Sequence, residues 1–379
     1  MVLAPLGYIL LEEMNITATQ FAWVVSAYAL SAGVSGFLSA GFADKFDRKK
    51  MLLFFYVGFI VGTLFCGIAT SYIYLLLARI VTGIFGGVLA SISFAIITDL
   101  FELRVRGRVM GFVQMAFAAS QVFGLPIGLE LARRFNWHMP FLMIAGLAVP
   151  VWVLVFVRMK PVDAHLKLRD RKTGLANILS IIKVRAHLRA FLTTTLLAVG
   201  GYMLMPFSTP FLVKNVHIED KDLFWLYTVT GIASMIAGPL IGRLSDRAGK
   251  FKVFVVGSVL TMILVGIYTN LPVTPLRWVM LVNAILFMGI TARIISASAL
   301  LTAVPEPASR GGFMAVNSSV QQISGGIASI ISGMIVYQAD AGRIMNYNVV
   351  GLVVIGTMII CVFLMWNINR YVFSKKENA

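Results

Sequence analysis

The sequence predicts an all-α membrane protein of two six-helix bundles related by pseudo-symmetry, and three observations carry that prediction. Fifty-nine per cent of the 379 residues are hydrophobic and 13% are charged, with the charges gathered into short clusters between long uncharged runs. The basic clusters fall in alternate loops. Charged loop patterns also recur at a fixed offset, in phase with helix number.

A bilayer core of about 30 Å takes about 20 apolar residues to cross as a helix. Gln20 to Ala43, Met51 to Tyr74, Ala190 to Val213, Gly312 to Ala339 and Ile344 to Asn369 carry no charge at all. Backbone in lipid must satisfy its own hydrogen bonds, so these runs are expected to be helices. Twelve segments emerge, at 1–11, 20–43, 51–70, 72–98, 109–131, 139–158, 189–213, 223–243, 253–271, 276–304, 312–337 and 345–370. The polar, basic stretch 159–188 separates an N-terminal six-helix bundle, 1–158, from a C-terminal one, 189–379. The first segment is expected to be a truncated helix, because eleven residues rise only about 16 Å. Its Pro5 matches Pro206 of the seventh segment, which has a far longer apolar run before it.

A net charge of +16 raises nucleic acid as a partner, and placement decides against it. Of the 32 Lys and Arg, 24 fall on one side when alternate loops are assigned to it, at 45–50, 104–108, 158–189, 243–252, 310 and 370–376. That asymmetry follows the positive-inside rule, placing the basic loops and both termini in the cytoplasm and the chain in the cytoplasmic (inner) membrane. The lipid bilayer is therefore an expected partner. Cys66 and Cys361 lie in apolar segments and the four histidines lack ligand spacing, so neither a metal nor another cofactor is indicated. No reactive Ser/His/Asp, His/Glu or Cys constellation marks an enzyme.

The repeat has an offset of about 202 to 204 residues. Gly41-Phe42-Ala43-Asp44-Lys45-Phe46-Asp47-Arg48-Lys49 after the second segment recurs as Gly242-Arg243-Leu244-Ser245-Asp246-Arg247-Ala248-Gly249-Lys250 after the eighth. Glu102 with Arg106-Gly107 after the fourth recurs as Glu306 with Arg310-Gly311 after the tenth. Two related halves of this kind place substrate at their interface near the bilayer midplane.

The run from Gly41 to Lys50 resembles the loop signature between the second and third helices of the major facilitator superfamily. Asp44, Arg48, Lys49 and Lys50 stand in place, while Lys45 and Asp47 depart from the pattern. The resemblance implies the major facilitator fold and a conformational latch. In that latch Arg48 would face Asp99 or Glu102, and Glu306 would face Arg247 or Lys250. Asp44 and Asp246 would cap helices near Gly311 and Gly107, where a carboxylate suits the macrodipole.

Gly124-Leu125-Pro126-Ile127-Gly128 resembles the antiporter motif of proton-driven exporters, with Pro one residue later than in its commonest form. Trp137-His138-Met139-Pro140-Phe141 resembles the element that follows it, with His138 in place of Arg. The 12-helix drug:proton antiporter branch is the best match, implying proton-coupled efflux by alternating access, with a small-molecule substrate and protons as partners and the chain as a monomer. A sugar or metabolite uniporter or symporter of the same fold is the alternative.

Arg79 resembles the fourth-helix arginine of the family, and an outward-snorkelling Arg is the other reading. Arg293 stands deeper, in the tenth segment, with Leu89 opposite it in the repeat. An intramembrane Arg costs about 2.5 kcal/mol or more, so each needs a reason. Arg293 is expected to handle substrate or protons, or else to tie helices together. Gln114 and Gln121 share one face of the fifth segment, Asn317 and Gln321 one face of the eleventh, and Tyr202 and Thr209 one face of the seventh. With Tyr8, Tyr28 and Asn283 they are expected to line a mostly apolar central cavity. None of the 16 acidic residues is an evident proton carrier there.

Overall fold

The computed structural model describes residues 3–39, 42, 46–101, 109, 120–163, 166, 180–306, 310–339 and 342–377. Its helices are α1 (Gly7–Glu13), α2 (Ala18–Ser39), α3 (Arg48–Gly67), α4 (Tyr72–Leu100), α5 (Leu125–Arg134), α6 (Met139–Arg158), α7 (Arg185–Lys214), α8 (Asp220–Ala248), α9 (Lys250–Tyr268), α10 (Leu276–Leu301), α11 (Arg310–Ile335) and α12 (Tyr347–Glu377). Among the described residues, nine helices are long and apolar enough to cross a membrane. α11 is not one of them, because Asn317, Gln321, Gln322 and several serines dilute its apolar character. Phe54, Val157, Val256 and Leu352 are each about two-thirds exposed, a surface suited to lipid rather than water.

Helix ends follow local chemistry. The Asp47 side chain accepts from the backbone N–H of Lys49 at 2.7 Å and of Lys50 at 3.3 Å, so the residue that departs from the family pattern is the N-cap of α3. In the second half the matching run is not a loop. Gly242 to Ala248 are the last turns of α8, and the chain reverses through Gly249 at φ +100°, a region closed to most side chains. α7, α8 and α12 outrun their apolar segments for the same reason: charged residues at the bilayer edge continue the helix. Before α5 the chain makes a π-helical turn, Ser120–Gly124, which leads into Pro126 at the second position of α5. A proline there lacks the N–H that the first turn leaves unused anyway.

α11 and α12 are joined by a short antiparallel pair, Tyr337–Gln338 with Ile344–Met345, where the sequence suggests helix ends. Asn215 holds it by both amide atoms, donating to the Ile344 carbonyl (2.9 Å) and accepting from the Ile344 N–H (2.8 Å).

The halves meet mainly along α2 and α11, with α5 against α8 and α1 against α7. Thr19 donates to the Gly333 carbonyl at 2.7 Å, and a Cβ on Gly333 would stand 2.3 Å from that of Ala22. Small residues are what let the two backbones approach so closely. One apolar core joins both halves and includes the edge-on pair Phe21 and Phe207. An ion pair between Glu12 and Lys214 also crosses the junction.

Candidate functional site: two cavities across one helix

α7 enters from the face that carries the 159–188 linker and runs between two cavities. The first, of about 280 Å³, lies within the C-terminal half and is lined from α7, α8, α9, α10, α11 and α12, with Pro5 and Leu125 from the other half. The second, of about 390 Å³, lies against the N-terminal half and is lined from α2, α3, α4 and α6, with Leu3 and Ala4 and with Gln322 and Ser329 of α11. Tyr202 and Met205 of α7 belong to both linings, so these two side chains form the partition. Both volumes sit near the lower end of small-molecule sites. In the first cavity Ile294 (54% exposed), Ser298 and Gln321 are exposed, whereas Tyr268 and Tyr347 are buried. It therefore opens toward the linker face.

Each cavity holds one arginine, and no Asp or Glu lines either among the described residues. Arg79 is half-buried. Its guanidinium lies 4.7 Å from the centre of the Tyr28 ring, and its Nε donates to the Val24 carbonyl at 3.4 Å. The glycines that follow it on α4 make this possible, since a Cβ on Gly83 would stand 2.6 Å from the Tyr28 carbonyl oxygen and one on Gly86 2.8 Å from the Tyr28 hydroxyl. Bare backbone there draws Tyr28 under the cation.

Arg293 is placed differently. It is 3% exposed, and its Nε and Nη2 have no hydrogen-bond partner among the described residues. Its side chain meets the Cys361 thiol, and its Nη1 lies 3.8 Å from where a Gly200 Cβ would be. Opposite, Gly257 and Gly289 press α9 against α10, since a Cβ on Gly289 would stand 2.6 Å from the Thr261 hydroxyl. Arg293 is one of the residues that line the first cavity.

Of the other expected lining residues, Asn283, Asn317 and Gln321 line the first cavity, Tyr28 the second and Tyr202 both. Asn283 donates to Thr230 at 2.8 Å, and Asn317 accepts from Thr194 at 2.6 Å. Two expectations are corrected. Tyr8 is 4% exposed and packs into the core that joins the halves. Thr209 is fully buried, 2.6 Å from the Tyr227 hydroxyl, and so spends its polarity inside the bundle. Gln114 and the side chain of Gln121 lie outside the described residues. Sequence reasoning missed Gln322, which accepts from the Tyr202 hydroxyl at 3.3 Å. Its signal was the adjacent pair Gln321-Gln322, whose side chains stand about 100° apart around a helix; one serves each cavity.

At the linker face Arg48 and Asp99 are joined, Nε to Oδ2 at 3.0 Å, with side chains 3% and 15% exposed. The Arg48 N–H also donates to the Val162 carbonyl, tying in the start of the linker. Asp44 and Glu102 lie outside the described residues. Asp246 and Arg247 are exposed at the end of α8, and Glu306 is exposed after α10. Gly124 is half-buried, whereas Pro126 and Gly128 are buried, where α5 faces α8. At the far end of α5, Glu130 is paired with Arg133 (2.8 Å) and Arg134 rather than with a cavity.

Two helical bundles enclosing small, largely apolar chambers beside their junction define a membrane transporter of solutes rather than an enzyme. The family model of the Major Facilitator Superfamily matches residues 1–199 and again 190–378, one match to each half. The chain belongs to that superfamily. It is 29% identical over 279 residues to an uncharacterized MFS-type transporter of Bacillus subtilis, covering 72% of this chain and 69% of that one. It is 24% identical over 400 residues to a multidrug resistance protein B homolog of Mycobacterium tuberculosis (88% and 72% covered). A probable sugar efflux transporter of Helicobacter pylori is 23% identical over 335 residues (87% and 81%). Among solved structures, a bacterial homolog of the human lysosomal transporter Spinster superimposes with a TM-score of 0.68 at 16% identity, covering 99% of this chain and 92% of that one. The nucleoside transporter NupG gives 0.68 at 15% identity (97% and 94%). At such identities these structures speak for the fold alone.

Proposed function

We propose that the protein is a secondary active transporter that exports small amphiphilic or drug-like organic molecules in exchange for protons. The observation that carries this reading is the pair of chambers divided by α7, largely apolar yet each furnished with one arginine. Apolar walls with few polar groups favour amphiphiles over sugars or phosphorylated metabolites. The efflux names carried by the Mycobacterium and Helicobacter relatives support the direction. In this reading residues 1–158 and 189–379 rock against each other about α2 and α11 and about α5 and α8, with 159–188 as a cytoplasmic linker and the monomer as the working unit. The basic loops and both termini lie in the cytoplasm. Arg48 and Asp99, with Asp44, Glu102, Asp246, Arg247 and Glu306, form the latch that biases the two states. Gly124, Pro126 and Gly128 give α5 its close, bent approach to α8.

The test is counterflow of amphiphilic dyes of each charge in proteoliposomes under an imposed pH gradient. Movement that follows the gradient and stops with a protonophore is the expected result. Counterflow indifferent to the gradient would overturn proton exchange and favour the second reading, a sugar or metabolite carrier, which the Helicobacter relative's name supports.

A further inference from the structure

Resting on that reading of the cavity as a substrate site, we infer that the C-terminal chamber selects organic anions. Its substrates carry a carboxylate or similar acid group, set against Arg293, on an apolar body. Arg293 is the one charged residue among the described residues of the lining. The other polar groups there are largely spoken for: Tyr227 bonds Thr209, Tyr347 the Leu204 carbonyl, Ser208 the Met205 carbonyl, Thr261 the Gly257 carbonyl, and Asn283 bonds Thr230. Nε and Nη2 of Arg293, by contrast, are buried donors without a hydrogen-bond partner among the described residues, with the Cys361 thiol beside the side chain. Nε and one Nη of a guanidinium are the edge that a carboxylate bridges with two parallel hydrogen bonds.

An orphaned buried cation is costly, and no acid of the described lining relieves it. An anion entering from the linker face would do so. A cationic amphiphile would meet repulsion with no compensating carboxylate. Leu286, Phe287, Ile290, Val265 and Met358 supply the apolar wall for the remainder of the molecule. Arg79 does not compete for this role, because its own cavity gives it Tyr28 and the Val24 carbonyl.

The experiment uses three eight-carbon probes that differ only in the head group: octanoate, octylammonium and octanol. Binding of tritiated octanoate to purified protein in maltoside micelles is measured by scintillation proximity against empty micelles, with the other two as competitors. Saturable octanoate binding, displaced by octanoate and neither by octylammonium nor by equal octanol, is expected. Arg293→Gln should weaken it at least about tenfold, while Arg134→Gln, at an exposed residue outside both linings, leaves it in place. A second variant guards against misfolding. A Cβ at Gly200 meets its neighbours at 3.5 to 3.9 Å, ordinary contact, with Arg293 Nη1 among them. Gly200→Asp should therefore fit, hand Arg293 an internal partner, raise the melting temperature and abolish octanoate binding. Equal binding of octylammonium, or octanoate binding that survives both Arg293→Gln and Gly200→Asp, overturns the inference. Proton-coupled counterflow of neutral or cationic dyes without octanoate binding would sink the inference alone. Octanoate binding without any counterflow would sink the transport reading alone.

Discussion

The two halves answer to the same repeat yet use it oppositely around their arginines. The offset of 204 that relates Glu102 to Glu306 also relates Arg79 to Asn283, and the offset of 202 that relates Asp44 to Asp246 relates Tyr28 to Thr230. In the first half that pair is a cation over a ring; in the second it is a neutral hydrogen bond of 2.8 Å. Both are closed, satisfied contacts between the second and fourth helices of a half. Arg293, by contrast, matches Leu89 and belongs to no repeated pair. The glycines diverge as well: Gly83, Gly86 and Gly87 of α4 correspond to Phe287, Ile290 and Thr291 of α10. Where the first half uses bare backbone to press α4 onto α2, the second presents Phe287 and Ile290 to the cavity. The repeat gives a common frame, and Arg293 stands outside its matched pairs.

The sharpest way to break this contrast is at Gly87, whose Cβ would stand 2.1 Å from the Ala32 carbonyl oxygen. Backbone cannot yield there, so Gly87→Leu should cost more than the usual 1–3 kcal/mol of overpacking, roughly 4 kcal/mol. Thr291→Leu, at the matching site, should stay within about 1.5 kcal/mol. Thermal unfolding in detergent compares them; equal losses would mean that the halves pack alike.

Next in size is the linker-face ion pair. Arg48 and Asp99 correspond to Lys250 and Ala303, so the second half has no such pair at those positions. Asp99→Asn removes the carboxylate charge that stands 3.0 Å from the buried Arg48 guanidinium and should cost about 3 kcal/mol. Lys250→Gln should leave the melting temperature where it was. An unchanged midpoint for Asp99→Asn would show that the pair carries little of the stability.

The smallest effects are expected at the matched polar pairs. Thr230→Val strips the acceptor from the buried Asn283 amide, at about 2 kcal/mol. Tyr28→Leu removes a half-buried cation–π contact, at about 1 kcal/mol. Reversal of that order would mean that Arg79 depends on Tyr28 more than Asn283 does on Thr230.

Much of this was legible beforehand because bilayers impose long-range rules. Helix number and the duplicated plan follow from uncharged runs and in-phase charges, the family resemblance offered Asp99 or Glu102 as the partner of Arg48, and Arg293 stands out as a charge deep in an apolar run. What escaped depends on which way single side chains turn. Thr209 and Tyr8 look like cavity residues until a partner hydroxyl or a packed core claims them. The end of α8 looked like a loop because charges break hydropathy without breaking a helix. The Asn215 clamp on Ile344 joins residues 129 positions apart, beyond any local pattern.

Tyr202 and Met205 give the molecule a party wall. With its hydroxyl tethered to Gln322 of α11 in the same half, Tyr202 ties the position of α11 to both rooms at once. A change at either side chain therefore reshapes both compartments together, so neither room can be altered at that wall without the other feeling it.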